Sequence, residues 1–228
     1  MAEDYESFKL DLSLSKTEIC RELFRENANL IRIKKEHVAV GNLVRIIDST
    51  LRLANGGGFQ AMSLRDLSAD CGMSLGGLYA YIRNKDDLIH LIQRHGFKLT
   101  QRTMLRYTEP VAEPRERLFA AIRTHLYLSE LMRAWFYFSY MEAKNLPQQE
   151  KREAVAAELA IENILYDIIE QGIAAGRFRD VNARLSASVL KAMLQDWYLK
   201  RGKYRRQNVD VDTYAQMLRE MMDRYILA

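Results

Sequence analysis

Proline occurs at only three of the 228 positions, 110, 114 and 147, and three of the eleven glycines sit together at 56–58. Proline and glycine are the residues that most disfavour a helix interior, so a chain this rarely interrupted reads as helical throughout. Apolar residues at three- and four-residue spacing fill the uninterrupted stretches. They predict helices over about 16–30, 37–55, 64–70, 74–81, 85–107, 115–129, 131–145, 149–175, 182–202 and 212–227, with no convincing strand. Asn55–Gly58 stops the second of these. Ser63 with Asp66 forms a capping-box variant ahead of the third, Ser74 and Asn84 cap the next two, and Asp212 is the expected cap of the last. The first dozen residues carry scattered acids and read as a loose arm. The expected fold class is therefore all-α.

Composition narrows the class further. With 48% hydrophobic residues the chain can bury a sizeable core, and a net charge of +4 permits a polyanionic partner without demanding one. Cys20 and Cys71 are isolated from each other, which fits a reducing compartment better than a disulfide framework. No apolar run approaches a membrane span, and the N-terminus lacks the pattern of a signal peptide, so a cytoplasmic protein with no membrane contact is expected. The four histidines, 37, 90, 95 and 125, have no acid or cysteine partner at metal-ligand spacing, and Asn55–Phe59 lacks the strand and the lysine of a phosphate loop. No catalytic residue, metal site or cofactor is expected.

The stretch Ser68–Leu88, SADCGMSLGGLYAYIRNKDDL, is a costly helix unless it has a partner. A helix, a tight glycine turn at Gly72 and a second short helix form the unit that sets one helix into a DNA major groove. Gly76 and Gly77 would let that helix approach DNA closely, Tyr79 and Tyr81 carry hydroxyls for phosphate oxygens, and Lys85 adds charge at the start of the next helix. The competing reading is local: the glycines end a turn and the tyrosines are half-buried.

The segment from about Val38 to Ile92 closely resembles the DNA-binding part of the TetR family of bacterial repressors, through SLRDLS, GMS-x-G-x-LY, the aromatic pair and NK followed by acids. The resemblance implies a homodimer with three N-terminal DNA-binding helices and a larger C-terminal helical domain that binds a small molecule and dimerises. It divides the chain into an extension (1–35), a helix-turn-helix domain (36–84), a connecting helix (85–107) and a ligand and dimerisation domain (108–228). It assigns Ser63 and Arg65 to the backbone or a groove edge. Ser74, Leu75, Gly76, Gly77 and Tyr79 fall on the reading helix, and Tyr81 and Lys85 become phosphate clamps. Leu75, Gly77 and Ala80 stand where polar side chains often occur, which leaves few donors for base edges. The extension is longer than is usual. Arg32, Lys34 and Lys35 can reach an adjacent groove, or the Ile19, Leu23 and Phe24 face packs on the body and leaves the lysines to solvent.

Beyond Tyr107 only the family's helix layout and a GIAAGRF-type turn recur. Residues 125–146 crowd large side chains beyond what one narrow core stripe holds, which suggests an apolar pocket. His125, Trp135, Phe138, Met141, Tyr166 and Met193 are its candidate lining. The cations Lys200, Arg201, Lys203, Arg205 and Arg206 read as a solvated helix end, or as a site for the phosphates of an acyl-coenzyme A. The last two helices, with Leu185, Val189, Leu190, Leu194 and Trp197, then Tyr214, Met217, Leu218, Met221 and Met222, form the expected dimer interface. The expected function is a ligand-responsive repressor that binds a palindromic double-stranded DNA operator as a homodimer. Effector binding would act through the connecting helix, taken as the only covalent link between the two parts. A helical interaction module with degenerate DNA binding, and an activator, are the alternatives.

Overall fold

The computed structural model describes residues 4–146 and 148–227, and only the backbone of Glu150. Pro147, expected to break the chain, lies outside the described residues. Twelve α-helices occur among the described residues, with no strand: α1 Tyr5–Leu12, α2 Lys16–Glu26, α3 Glu36–Gly57, α4 Leu64–Asp70, α5 Leu75–Leu78, α6 Lys85–Thr108, α7 Pro114–Leu131, α8 Arg133–Glu142, α9 Gln148–Ala174, α10 Ala183–Leu199, α11 Arg201–Arg206 and α12 Val211–Ile226. The all-α expectation holds. No helix among them is long and apolar enough to cross a membrane.

Two compact units emerge, and neither is contiguous in sequence. The first holds Leu12–Gly96 and Ala134–Ala154; the second holds the chain up to Asp11, Phe97–Arg133 and everything from Val155 onward. The chain therefore passes between units at residues 11–12, 96–97, 133–134 and 154–155. The expectation that helix 85–107 is the only covalent link does not hold.

In the first unit, α3 supplies the core stripe Leu43, Ile46, Ile47 and Leu51, all buried. Leu67 of α4 and Leu78 of α5 are fully buried as well. The extension contributes α2, whose Ile19, Leu23 and Phe24 are buried in the same unit as α3, so its apolar face packs as expected. Ion pairs fix it: Lys16 with Asp48 at 2.8 Å, and Arg25 with Glu36 at 3.2 Å. From the middle of the chain, α8 joins this unit through Trp135 and Phe138. The Trp135 Nε1–H donates to the Ile92 carbonyl at 2.7 Å, and Phe138 meets Phe59 edge-on at 5.4 Å. A side chain at Gly96 would lie 2.5 Å from the Trp135 ring, so the contact requires glycine.

In the second unit, Trp197 is fully buried, donates to Glu130 Oε2 at 3.0 Å and stacks on Tyr214 at 5.1 Å. The expected loose arm is ordered here as α1. Its Phe8 is buried between Tyr107 and Tyr127, at 5.2 and 5.5 Å between ring centres. Asp212, the expected cap of α12, is used otherwise: it accepts from the Tyr5 backbone N–H at 3.1 Å and from the Tyr127 hydroxyl. The cap is Asp210, whose carboxylate accepts from the Thr213 N–H at 2.8 Å. The GIAAGRF turn rests on Gly172, where a Cβ would fall 2.1 Å from the Phe178 ring, and on Gly176 with φ +64°.

Candidate nucleic-acid interface

Three local devices set α4 and α5. The first is the predicted capping box. Asp66 N–H donates to Ser63 Oγ at 3.1 Å, while the Ser63 N–H and hydroxyl donate to Asp66 Oδ2 at 2.9 and 2.7 Å. Those hydrogen bonds hold the Asp66 carboxyl below the usual carboxylate range. The second is the turn. Gly72 has φ +63°, where an L side chain is strained, and its carbonyl accepts from Arg45 Nη2 at 2.8 Å. The third is the cap of α5, in which Ser74 Oγ accepts from the Gly77 N–H at 3.1 Å.

The expected DNA residues then divide. Ser63, Arg65, Ser74, Gly76 and Tyr79 are exposed, and Leu75 and Gly77 are half-exposed. The Ser63 hydroxyl is committed to the capping box, so it shapes the start of α4, whereas the Ser74 hydroxyl accepts the cap bond and keeps its own hydrogen to donate. The two glycines differ. A Cβ on Gly77 would stand 3.3 Å from Ser74 Oγ, so the cap itself disfavours a side chain; a Cβ on Gly76 would meet nothing within 4 Å. Nothing inside the fold requires Gly76 to lack a side chain.

Tyr81 departs from the phosphate-clamp expectation, and Lys85 is largely engaged inside the fold. Tyr81 is 3% exposed, and its hydroxyl accepts from Asn42 Nδ2 at 2.8 Å. Burial pushes its phenol pKa up. The Lys85 ammonium donates to the carbonyls of Gln60 and Met62 at 3.0 and 2.7 Å and lies 4.7 Å over the Phe59 ring. It fastens the start of α6 to the loop that leads into α4, with one of its three hydrogens left over. At the same helix start, Asn84 caps through Oδ1 to the Asp87 N–H at 2.9 Å. Arg45 and Asn42, which position the turn and Tyr81, were not singled out from the sequence. They lie on the polar side of α3, and only the fold shows what they face.

The expected pocket residues do not form one set. Trp135 and Phe138 are core of the first unit, and Met141 there is partly exposed. His125, Tyr166 and Met193 belong to the second unit, where His125 is buried and the other two are half-buried. Burial, and then the positive charge of Lys191, push the His125 pKa well below the ordinary value. Lys191 is itself buried, with its ammonium 3.9 Å from Glu158 Oε1, and burial lowers its pKa. Of the five C-terminal cations, three are ion-paired: Lys200 and Lys203 with Asp196 at 2.8 and 2.9 Å, and Arg201 with Glu130 at 3.0 Å. No group of three or more His, Cys, Asp or Glu is placed to hold a metal ion among the described residues.

The geometry agrees with the comparisons. Residues 46–92 match the family model described as bacterial regulatory proteins, tetR family, and residues 111–222 match the tetracyclin repressor-like, C-terminal domain. The HTH-type transcriptional regulator HbdR of Aromatoleum sp. (strain CIB) is 22% identical over 156 residues, 68% of each protein. A TetR-family regulatory protein from Rhodococcus RHA1 superposes with a TM-score of 0.73 at 19% identity, over 81% of this chain and 96% of that one. The structure of AibR in complex with isovaleryl coenzyme A and operator DNA gives 0.66 at 22% identity, over 77% and 95%. The chain belongs to the TetR family of bacterial transcriptional regulators, which act by binding DNA and are not enzymes.

Proposed function

We propose that this protein is a homodimeric repressor that grips a palindromic operator through α4 and α5 and is released by a small, largely apolar effector. The open space at Gly76 carries the DNA reading: an exposed helical glycine costs about 1 kcal/mol relative to alanine, and only an external partner gains from the missing side chain. In this reading Gly76 and Gly77 bring the α5 backbone close to the groove floor, Ser74 and Tyr79 donate hydroxyls to phosphates, and Arg65 reaches a groove edge. Leu75 offers a methyl surface to thymine. Lys85 positions α4 and turns its remaining hydrogen to a phosphate. With so few donors for base edges, DNA shape supplies part of the specificity.

The dimer reading rests on two exposed apolar stripes. Leu185 and Val189 stand one turn apart on α10, as do Met217 and Met221 on α12, and all four are exposed. Of the other expected interface residues, Leu190, Leu194, Trp197, Leu218 and Met222 are buried within the protomer, and Tyr214 is half-buried. Exposed apolar residues at that spacing are the kind a partner subunit covers.

For the effector, the second unit holds two buried polar side chains, His125 and Lys191, which would set the polarity of a ligand site there. Acyl-coenzyme A is the class that the AibR complex brings forward. The signal would run along α6, whose first residue holds the loop before α4. A coupling of about 1–3 kcal/mol suffices to change operator occupancy many-fold. Titrating isovaleryl-coenzyme A into the protein–DNA complex tests the effector class. Release of DNA with saturable binding supports it; undisturbed complex and no binding heat count against acyl-coenzyme A and leave the DNA reading standing.

A further inference from the structure

The N-terminal extension ends beside the reading helix. The Arg32 N–H donates to the Ala80 carbonyl at 2.8 Å, just past the end of α5, and the preceding Ile31 is buried. These two anchors fix the backbone of 31–32 against the residues that follow Tyr79. The Arg32 and Lys35 side chains are exposed, and neither has a carboxylate partner among the described residues. Other cations of the extension are neutralised: Lys9 by Glu6, Lys16 by Asp48, Arg25 by Glu36. Lys34 donates to the carbonyls of Ala28 and Ile31 at 2.9 and 3.1 Å. A notch of about 190 Å³ opens between the extension and the residues after α5, lined by Asn27, Arg32, Tyr79, Arg83, Asp87 and His90. Asp87 is occupied by Arg83, through its backbone N–H at 2.7 Å and its guanidinium at 3.1 Å.

We propose that the extension is part of the DNA-binding surface, with Arg32 and Lys35 contacting backbone phosphates next to the one that Tyr79 meets. The proposal rests on the DNA reading above. It assigns to the extension a second role besides packing: α2 and Ile31 hold a short basic segment at the edge of the interface. Arg32 presents a planar fork to a phosphate, and the notch beside Tyr79 leaves room for that phosphate. The contact is sequence-independent, which suits a reading helix with few base-edge donors.

Salt dependence tests this, because each phosphate neutralised contributes about 0.9 to the slope of log affinity against log salt. The probe is a mixed-sequence duplex of about three helical turns, titrated with the full-length protein from about 50 to about 200 mM KCl. Arg32→Ala and Lys35→Ala should each flatten the slope by about 0.9 per bound head and weaken binding several-fold at the upper salt limit. Arg32→Lys should keep the slope, since it keeps the charge. Lys9→Ala, which removes a paired cation of the same extension, should change nothing. Unaltered melting temperatures confirm that the variants fold. Wild-type slopes in both alanine variants overturn the proposal and leave the DNA reading intact. A wild-type protein that binds no duplex at any salt overturns both.

Discussion

Gly76 and Gly77 are neighbours with opposite physical reasons. At Gly77 the cap disfavours a side chain, because a Cβ would stand 3.3 Å from Ser74 Oγ; Gly76 faces open space. Gly76→Ala should therefore stabilise the free protein by about 0.5–1 kcal/mol, through helix propensity, while weakening operator binding. Thermal unfolding and a binding titration on one preparation read both signs. A variant that is stabilised and binds unchanged would remove the close-approach argument. His125 makes a second prediction. Its folded pKa is depressed by burial and by Lys191, while in the unfolded chain it titrates near the ordinary ~6.5. Below that pH the unfolded state takes up a proton that the folded state refuses. Stability should then fall as pH drops through about 6.5, by up to about 1.4 kcal/mol per unit. Melting curves from neutral pH down to about 5 should show this slope, and His125→Gln should lose it.

At the scale of elements, α4, its turn and α5 were legible because their determinants are local. Ser63 with Asp66, Gly72 and Ser74 each act within a few residues, and the structure finds each in that role. The α1 helix was not legible. Of its eight residues only Phe8 is buried, and Phe8 packs on Tyr107 and Tyr127, a hundred positions away. The same distance effect moved the α12 cap from Asp212 to Asp210: both acids fit the local pattern, and Tyr5 and Tyr127 claimed one of them. Trp135 and Phe138 read as pocket aromatics because sequence shows crowding without showing that α8 returns to the first unit, over Gly96 and Phe59. On α10 and α12, ten apolar positions were expected at the dimer interface, and the fold separates those buried in the protomer from those left outside. Replacing exposed Val189 and Met217 with glutamate should leave the protomer folded and convert the proposed dimer to a monomer in sedimentation experiments. A double variant that still sediments as a dimer would move the interface elsewhere.

For the molecule as a whole, the family assigns DNA binding, and the exposed stripes on α10 and α12 argue for two copies acting together. A two-fold dimer presents two reading helices, so its target should be two inverted half-sites about one helical turn apart or slightly more. The central claim is that α4 and α5 read such a site. The most direct test is selection from a random-sequence duplex pool by the purified full-length protein at near-physiological salt, followed by sequencing of what is retained. The account predicts an inverted repeat, with enrichment lost in a variant that fills the space at Gly76 with a large side chain. Retention of nothing, or of DNA with no consensus, would contradict it and favour a helical interaction module that keeps the family fold without the operator.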